Sequence, residues 1–266
     1  MPTPSIAREI NREAVVLLGW GRAILMQLAH PLVAAAVADH SDFRGGQTAY
    51  LRRAHRTIGA MLALTYGTDD EARKAAGRIN AIHGEVSGTL GETAGVYSSC
   101  TTYSASDPAL LAWVHATLVE SIPLAYERFV RPLSQAEKDW YCAETADSAP
   151  LFGIPDDRPP RSVRELDRYM KTMIASGEVC VTARARSLAH GLLYPPLMWP
   201  ARRLFGVARL ATIGMVPPDI RRAYGFEWDA RRERRFQRTA AIIRRVRPFV
   251  PPVLREWPEA RRRIPH

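Results

Sequence analysis

The sequence predicts an all-α fold, a single globular bundle of about ten helices. Apolar residues recur at three- and four-residue spacing through most of the chain. Helix start signals punctuate it, namely Asp107-Pro108, Ser134 with Glu137, and Ser162 with Glu165. No series of alternating strand patterns is present, and no repeat at solenoid periods is found. With 266 residues and 47% hydrophobic content, the chain is long enough for one large core. No Gly/Ser or Pro linker divides it. The expectation is one domain over residues 1–266, with a core at about 5–230 and a basic helical extension at 231–266.

Ile6 to Leu18 is amphipathic, and Gly19-Trp20-Gly21 is expected to break it. Arg22 to about Asp39 is apolar nearly all round, as a buried central helix would be, with a kink or boundary at His30-Pro31. Ser41 to Gly46 reads as a loop. Tyr50 to Tyr66 follows, ending at Gly67, and Asp69 is placed to cap a helix from Asp70 to about Leu90. Gly91 to Ser106 is polar and irregular. Asp107 and Pro108 open a helix to about Val130, with Pro123 as a kink. Capping boxes open helices at Ser134, running to about Thr145, and at Ser162, running to about Ser176, with a Pro-rich loop over Leu151 to Arg161 between them. Helices are also expected from Glu178 to Leu193, stopped by Pro195-Pro196, and from Arg202 to Ile213. The last runs from an Asp229 cap to about Val246.

The net charge is +10 and nearly all basic residues are arginine, concentrated late in the chain. Such a charge suits a solvated helix face. It also suits an acidic substrate, a nucleic acid or an anionic lipid surface. Nucleic acid is not the expected partner, because Trp228 reads as a core residue rather than a stacking platform. Peripheral membrane contact through the basic C-terminal region stays open. Three widely spaced cysteines, Cys100, Cys142 and Cys180, suit a reducing compartment rather than a disulfide framework. The charged N-terminal stretch does not read as a signal peptide, and the apolar run Ala23 to Ala38 is too interrupted for a membrane span. A cytoplasmic location is expected. Oligomeric state is not legible.

The usual catalytic signatures are missing. There is no His-Glu-x-x-His, no Cys-x-x-Cys, no phosphate-binding glycine loop and no Gly-x-Ser-x-Gly. Histidines and arginines on apolar helices remain. His115 shares a face with Leu111, Val114, Leu118 and Ile122, where an imidazole needs either a hydrogen-bond partner or a metal. Ala112 and Ala116 beside it leave room for a flat molecule. Arg53, Arg56 and Thr57 share one helix face, so that two fixed cations and a hydroxyl adjoin an apolar surface; a solvated helix start has the same pattern. His30 is restrained by Pro31. His83 faces the same way as Ile79 and Val86. Each histidine could equally be a core residue satisfied by a carbonyl or carboxylate.

Several segments occur in an order that resembles the MpaB-like oxygenase family, which shares its catalytic domain with the latex-clearing proteins, haem b rubber oxygenases. They are Ala29-His30-Pro31-Leu32-Val33, Ala38 to Phe43, Tyr66-Gly67-Thr68, the His83 helix, Tyr103 to Pro108, Trp113 to Val119, Ala125 to Phe129 and Pro132-Leu133-Ser134. The resemblance covers roughly residues 5 to 230. In the latex-clearing branch a His-Ala pair carries the proximal haem ligand, and His115-Ala116 matches it. An Arg-x-x-Lys-Thr motif lies on the distal side, and Arg53 to Thr57 matches it with Arg56 in place of lysine. A guanidinium cannot lose its proton to ligate iron, so no lysine-type sixth ligand is implied.

The resemblance thus implies haem b as cofactor, His115 as the iron ligand, and His30 and His83 as second choices for cofactor binding. Arg53 and Arg56 would stabilise charge on a bound oxygen, and Thr57 would donate a hydrogen bond to it. The implied activity is that of an oxidoreductase using dioxygen or peroxide on a small apolar substrate. The alternative is a non-catalytic all-α binding protein for an apolar ligand or haem.

Overall fold

The computed structural model describes residues 5–40, 46–194 and 199–263, and the side chains of 46–51, 53, 54, 199–204 and 263 lie outside that description. Among the described residues there are fourteen α-helices, ten of them seven residues or longer. The all-α expectation is borne out. Helix α6 (Pro108–Phe129) forms the axis of the core. Asp107 caps it, its carboxylate accepting from the Ala109 N–H at 2.7 Å, and Pro108 fills the first position. Trp113, Ala116, Val119, Ile122, Ala125, Tyr126 and Phe129 on it are buried. Among the described helices it alone is long and apolar enough to cross a membrane by length and composition, and 67% of that stretch is buried inside the fold.

The N-terminal region departs from expectation. Helix α1 (Ile6–Asn11) is short, a 3-10 turn follows at Ala14–Val16, and α2 (Leu17–Leu28) runs straight through Gly19 and Gly21. These glycines are contact residues and not breakers. A Cβ on Gly19 would lie 2.5 Å from the Ser121 carbonyl oxygen of α6. One on Gly21 would lie 2.8 Å from Thr212 Oγ1 of α10 (Trp199–Met215). Their missing side chains let three helices approach closely. Arg22 then pins the same three. Its guanidinium donates to the Met215 carbonyl at 2.8 Å and pairs with Glu120 at 2.7 Å.

Helix α3 (Pro31–His40) begins where Pro31 was expected to interrupt, and the chain turns by 103° there. The expected loop over 41–46 falls almost wholly outside the described residues. Helix α4 (Gly46–Tyr66) is followed by α5 (Asp69–Gly84), which packs on it. Thr68, one residue before the expected cap, forms a capping box with Glu71. The stretch read as irregular contains an antiparallel pair, β1 (Ser87–Thr89) and β2 (Thr102–Ser104). Three paired residues are too few to show a period of two in the sequence.

Helix α7 (Gln135–Ser148) has the expected capping box at Ser134. A 3-10 turn over Ala149–Phe152 lies partly in the stretch read as loop, closed by Gly153 at φ +81°. Helix α8 (Val163–Ala175) has half of its box. Ser162 accepts from Glu165, but the Glu165 carboxylate accepts from the N–H of Arg161, one residue early. Helix α9 (Ala183–Leu193) starts later than expected, because Thr182 caps it and Cys180 N–H is drawn to the Ala29 carbonyl at 2.8 Å. The prolines expected to stop it lie outside the described residues. Helix α11 (Pro218–Ala223) is short, and α12 (Ala230–Val246) is capped by Asp229 as expected. Phe236 and Ala240 of α12 pack with Phe129 and Met215. The chain ends in α13 (Pro252–Arg255) and α14 (Pro258–Arg263), which return to the N-terminus. There buried Glu13 and Glu256 pair with Arg247, Arg255 and Arg12.

Candidate functional site

Leu111 and His115 are four residues apart on α6, so they face the same side. Trp113 lies between them and faces about 200° round the helix from His115. That arrangement sorts the histidines. His30 packs on the Trp113 side, with ring centroids 6.5 Å apart. His83 shares a cleft with Leu111. The structure therefore brings His83 and His115 to one side of α6 and leaves His30 on another.

The cleft lies where α5 meets the 3-10 turn and the start of α6, and is lined by Asn80, His83, Ser106, Leu111, Phe152 and Gly153. Asn80 clips α5 in place, donating from Nδ2 to the Leu151 carbonyl at 2.8 Å. An apolar cluster of Leu111, Ala112, Ala149, Ile154 and Phe152 backs the cleft. Burial lowers the His83 pKa, so the ring is neutral at neutral pH, and its Nδ1 is buried without a hydrogen-bond partner.

His115 sits one turn further along. Its Nε2–H donates to the Thr145 carbonyl of α7 at 3.1 Å. Burial lowers its pKa and this bond partly opposes the shift. A carbonyl only accepts, so the ring is the Nε2–H tautomer, and Nδ1, buried and unpartnered, carries the bare lone pair. One ring nitrogen anchored to a backbone carbonyl and the other left bare is also how metal-bound histidines are oriented.

His30 has a different role. Its Nε2 is 3.1 Å from the Tyr97 hydroxyl, which donates to Glu178 at 3.2 Å. Burial pushes its pKa down to about 4, against the pull of Glu178 and Asp107. It ties the α2–α3 corner to the loop carrying Tyr97. Arg53, Arg56 and Thr57 lie on α4, the helix packed against the one that carries His83. The Arg56 and Thr57 side chains are exposed, and the Arg53 side chain lies outside the described residues.

Among the described residues no three His, Cys, Asp or Glu side chains converge as the ligands of a bare metal ion would. A porphyrin brings four nitrogens of its own and asks the protein for a single axial imidazole. The donor chemistry of His83 and His115 fits that demand. The cleft, at about 220 Å³, is smaller than the roughly 300–1,000 Å³ of small-molecule pockets, so a macrocycle would occupy more than the cleft as it stands. Asn80, Phe152 and Gly153 were not legible as site residues. The one available signal was Pro150 followed by Gly153, the mark of a short turn with a left-handed end.

A family model described as the catalytic domain of the ER-bound oxygenase mpaB/B' and of rubber oxygenase matches residues 7–245. Among curated proteins, two mycobacterial relatives are 27% identical over 232 residues, covering 86% of this chain and 87% of theirs. They are the uncharacterized proteins Rv2237 of Mycobacterium tuberculosis and Mb2261 of Mycobacterium bovis. No solved structure matches. With a match that spans most of its length, the chain belongs to the mpaB/rubber-oxygenase catalytic-domain family and carries an oxygenase-type domain.

Proposed function

We propose that the protein is a haem b-dependent oxygenase acting on a small apolar substrate, with the iron ligand drawn from the His83/His115 pair. The observation that carries the reading is the pair of neutral, desolvated imidazoles on one side of α6, each with a buried and unpartnered Nδ1, within an oxygenase-type domain. Haem iron would supply activation of dioxygen or peroxide. Of the two imidazoles, His83 lines the cleft, and His115 is held in orientation by Thr145. Leu111 and Phe152, which line the cleft, would offer an apolar wall to a substrate. Arg53, Arg56 and Thr57 of α4 are the further groups assigned on this reading, two cations and a hydroxyl donor. Arg56 and Thr57 are exposed, so a bound group larger than the cleft would have to cover them.

The test is an absorption spectrum of the protein expressed with added haem, beside His83→Ala and His115→Ala. The expected result is a Soret band in the parent, lost or shifted in one of the two variants, which identifies the ligand. A parent without the band sinks the haem reading and leaves an all-α binding protein for an apolar ligand. A band unchanged in both variants moves the ligand elsewhere.

A further inference from the structure

Thirteen residues near the C-terminus carry five of the eleven large apolar side chains exposed among the described residues: Ile242, Val246, Phe249, Val253 and Leu254. Phe249 is 85% exposed and Leu254 74%. Isolated exposed apolar residues are ordinary, but a run of them is not. Ile242, Val246 and Phe249 recur at four- and three-residue spacing, and Arg235, Arg238 and Arg245 fall on the same stripe of α12 and its 3-10 continuation. Val253 and Leu254 continue the apolar surface on α13.

The charge is equally local. Residues 230–263 contain twelve arginines against three glutamates and no lysine or aspartate, a net of nine positive charges out of the chain's +10. Two of the three glutamates are already engaged. Glu233 accepts from Trp228 and Gln237, and Glu256 is buried against Arg12 and Arg255. Among the described residues Arg235, Arg238, Arg244 and Arg245 make no ion pair. The inner face of α12, with Phe236 and Ala240, is already packed into the core. The outer face is the one left without a partner.

We infer that this surface docks the protein on an anionic lipid bilayer, with Ile242, Val246, Phe249, Val253 and Leu254 entering the interface and the flanking arginines meeting the headgroup charges. An exposed helix with apolar and arginine side chains on one face suits the headgroup–acyl boundary. The long arginine stems can lie along apolar surface while their heads reach phosphate. A nucleic acid would engage the arginines and Phe249, but would leave the four aliphatic side chains in water. Four of the five apolar residues of the patch, all but Ile242, lie beyond the oxygenase-family match, which ends at 245. The inference therefore stands apart from the haem reading.

The test is co-sedimentation of the full chain with vesicles of phosphatidylcholine containing phosphatidylglycerol, beside vesicles of phosphatidylcholine alone. Binding is expected to the anionic vesicles and to weaken as salt rises. The variant Phe249→Ser/Leu254→Ser should bind about tenfold or more weakly. So should Arg238→Gln/Arg245→Gln. Trp140→Ser, an exposed apolar residue on α7, should bind as the parent does. Each altered residue is exposed, and an unchanged thermal midpoint confirms folding. No binding to anionic vesicles overturns the inference. So does binding that ignores the Phe249/Leu254 change, which would mean charge alone. Tighter binding to an RNA or DNA oligonucleotide, lost in the arginine variant and kept in the apolar one, would replace lipid with nucleic acid.

Discussion

The Nε2–H of His115 donates to the carbonyl oxygen of Thr145 at 3.1 Å, joining the middle of α6 to α7. The bond fixes both the tautomer and the direction of the ring. With the pKa lowered by burial, the imidazole is expected to be neutral and Nε2-protonated at neutral pH. Nitrogen-15 shifts of the ring would report this directly. A ring already half-protonated at its ordinary pKa of 6.5 would contradict it. His115→Leu should cost about 1–3 kcal/mol, from one lost buried bond and an unfilled edge. The Thr145 carbonyl keeps a second donor, Ser148 Oγ at 2.8 Å, which limits the loss.

Burial lowers the pKa of three histidines, His30, His83 and His115, and this makes the fold acid-sensitive. His30 is the largest contributor, with its pKa moved from 6.5 to about 4. The folded state resists protonation that the unfolded chain accepts, so this part of the stability is complete above pH 6.5 and is lost as pH falls toward 4. The loss is on the order of 3 kcal/mol. Urea midpoints measured across that window should fall with pH in the parent and much less in His30→Gln. An equal slope in both would remove His30 as the cause.

Replacing the packing glycines should destabilise, and replacing a free one should not. Gly19→Ala places a methyl 2.5 Å from the Ser121 carbonyl oxygen, and about 1–3 kcal/mol of overpacking cost is expected. Gly59, inside α4, has nothing within 4 Å of its would-be Cβ. Gly59→Ala should stabilise by about 0.5–1 kcal/mol through helix propensity. Thermal midpoints of the two variants should move in opposite directions.

Glu13 is almost fully buried and is held by Arg247, whose Nε lies 2.9 Å from a carboxylate oxygen. Arg247→Ala should cost about 3–5 kcal/mol, because it strands a buried charge. Arg255, 4.0 Å from the same carboxylate, can soften that loss. The double variant Glu13→Gln/Arg247→Ala should recover part of it. Denaturation midpoints of the two single variants and the double variant give the coupling. Purely additive losses would show that the two residues act independently.

Asn80→Ala removes the clip between α5 and the Leu151 carbonyl. The cost should be about 0.5–1.5 kcal/mol, and the effect should concentrate at the cleft. Faster amide exchange over residues 78–84 with little change in α6 is the expected pattern. Uniform exchange across both helices would mean that the clip contributes only to global stability.

The all-α class and most of the longer helices, though not the bounds of α2, were legible because they rest on local physics. Asp107-Pro108, Ser134 with Glu137, and Asp229 each satisfy the first N–H groups of their own helix. Pro31 marks a boundary wherever it stands. Gly19 and Gly21 misled for the complementary reason. A glycine carries the same local signal whether it ends a helix or admits a neighbour, and only Ser121 and Thr212, about 100 and 190 residues away, decide which. The β1–β2 pair was hidden because pairing across a loop leaves no period in three residues. His30, His83 and His115 were all visible as histidines on apolar faces. What each does was decided by partners on other elements: Tyr97 for His30, Thr145 for His115, and for His83 a cleft with an unpartnered Nδ1. Sequence determined which groups were available and which helices carried them. Tertiary structure alone decided which partner each ring nitrogen found and that Nδ1 of all three was left buried without one, because burial and partnership depend on the whole chain at once.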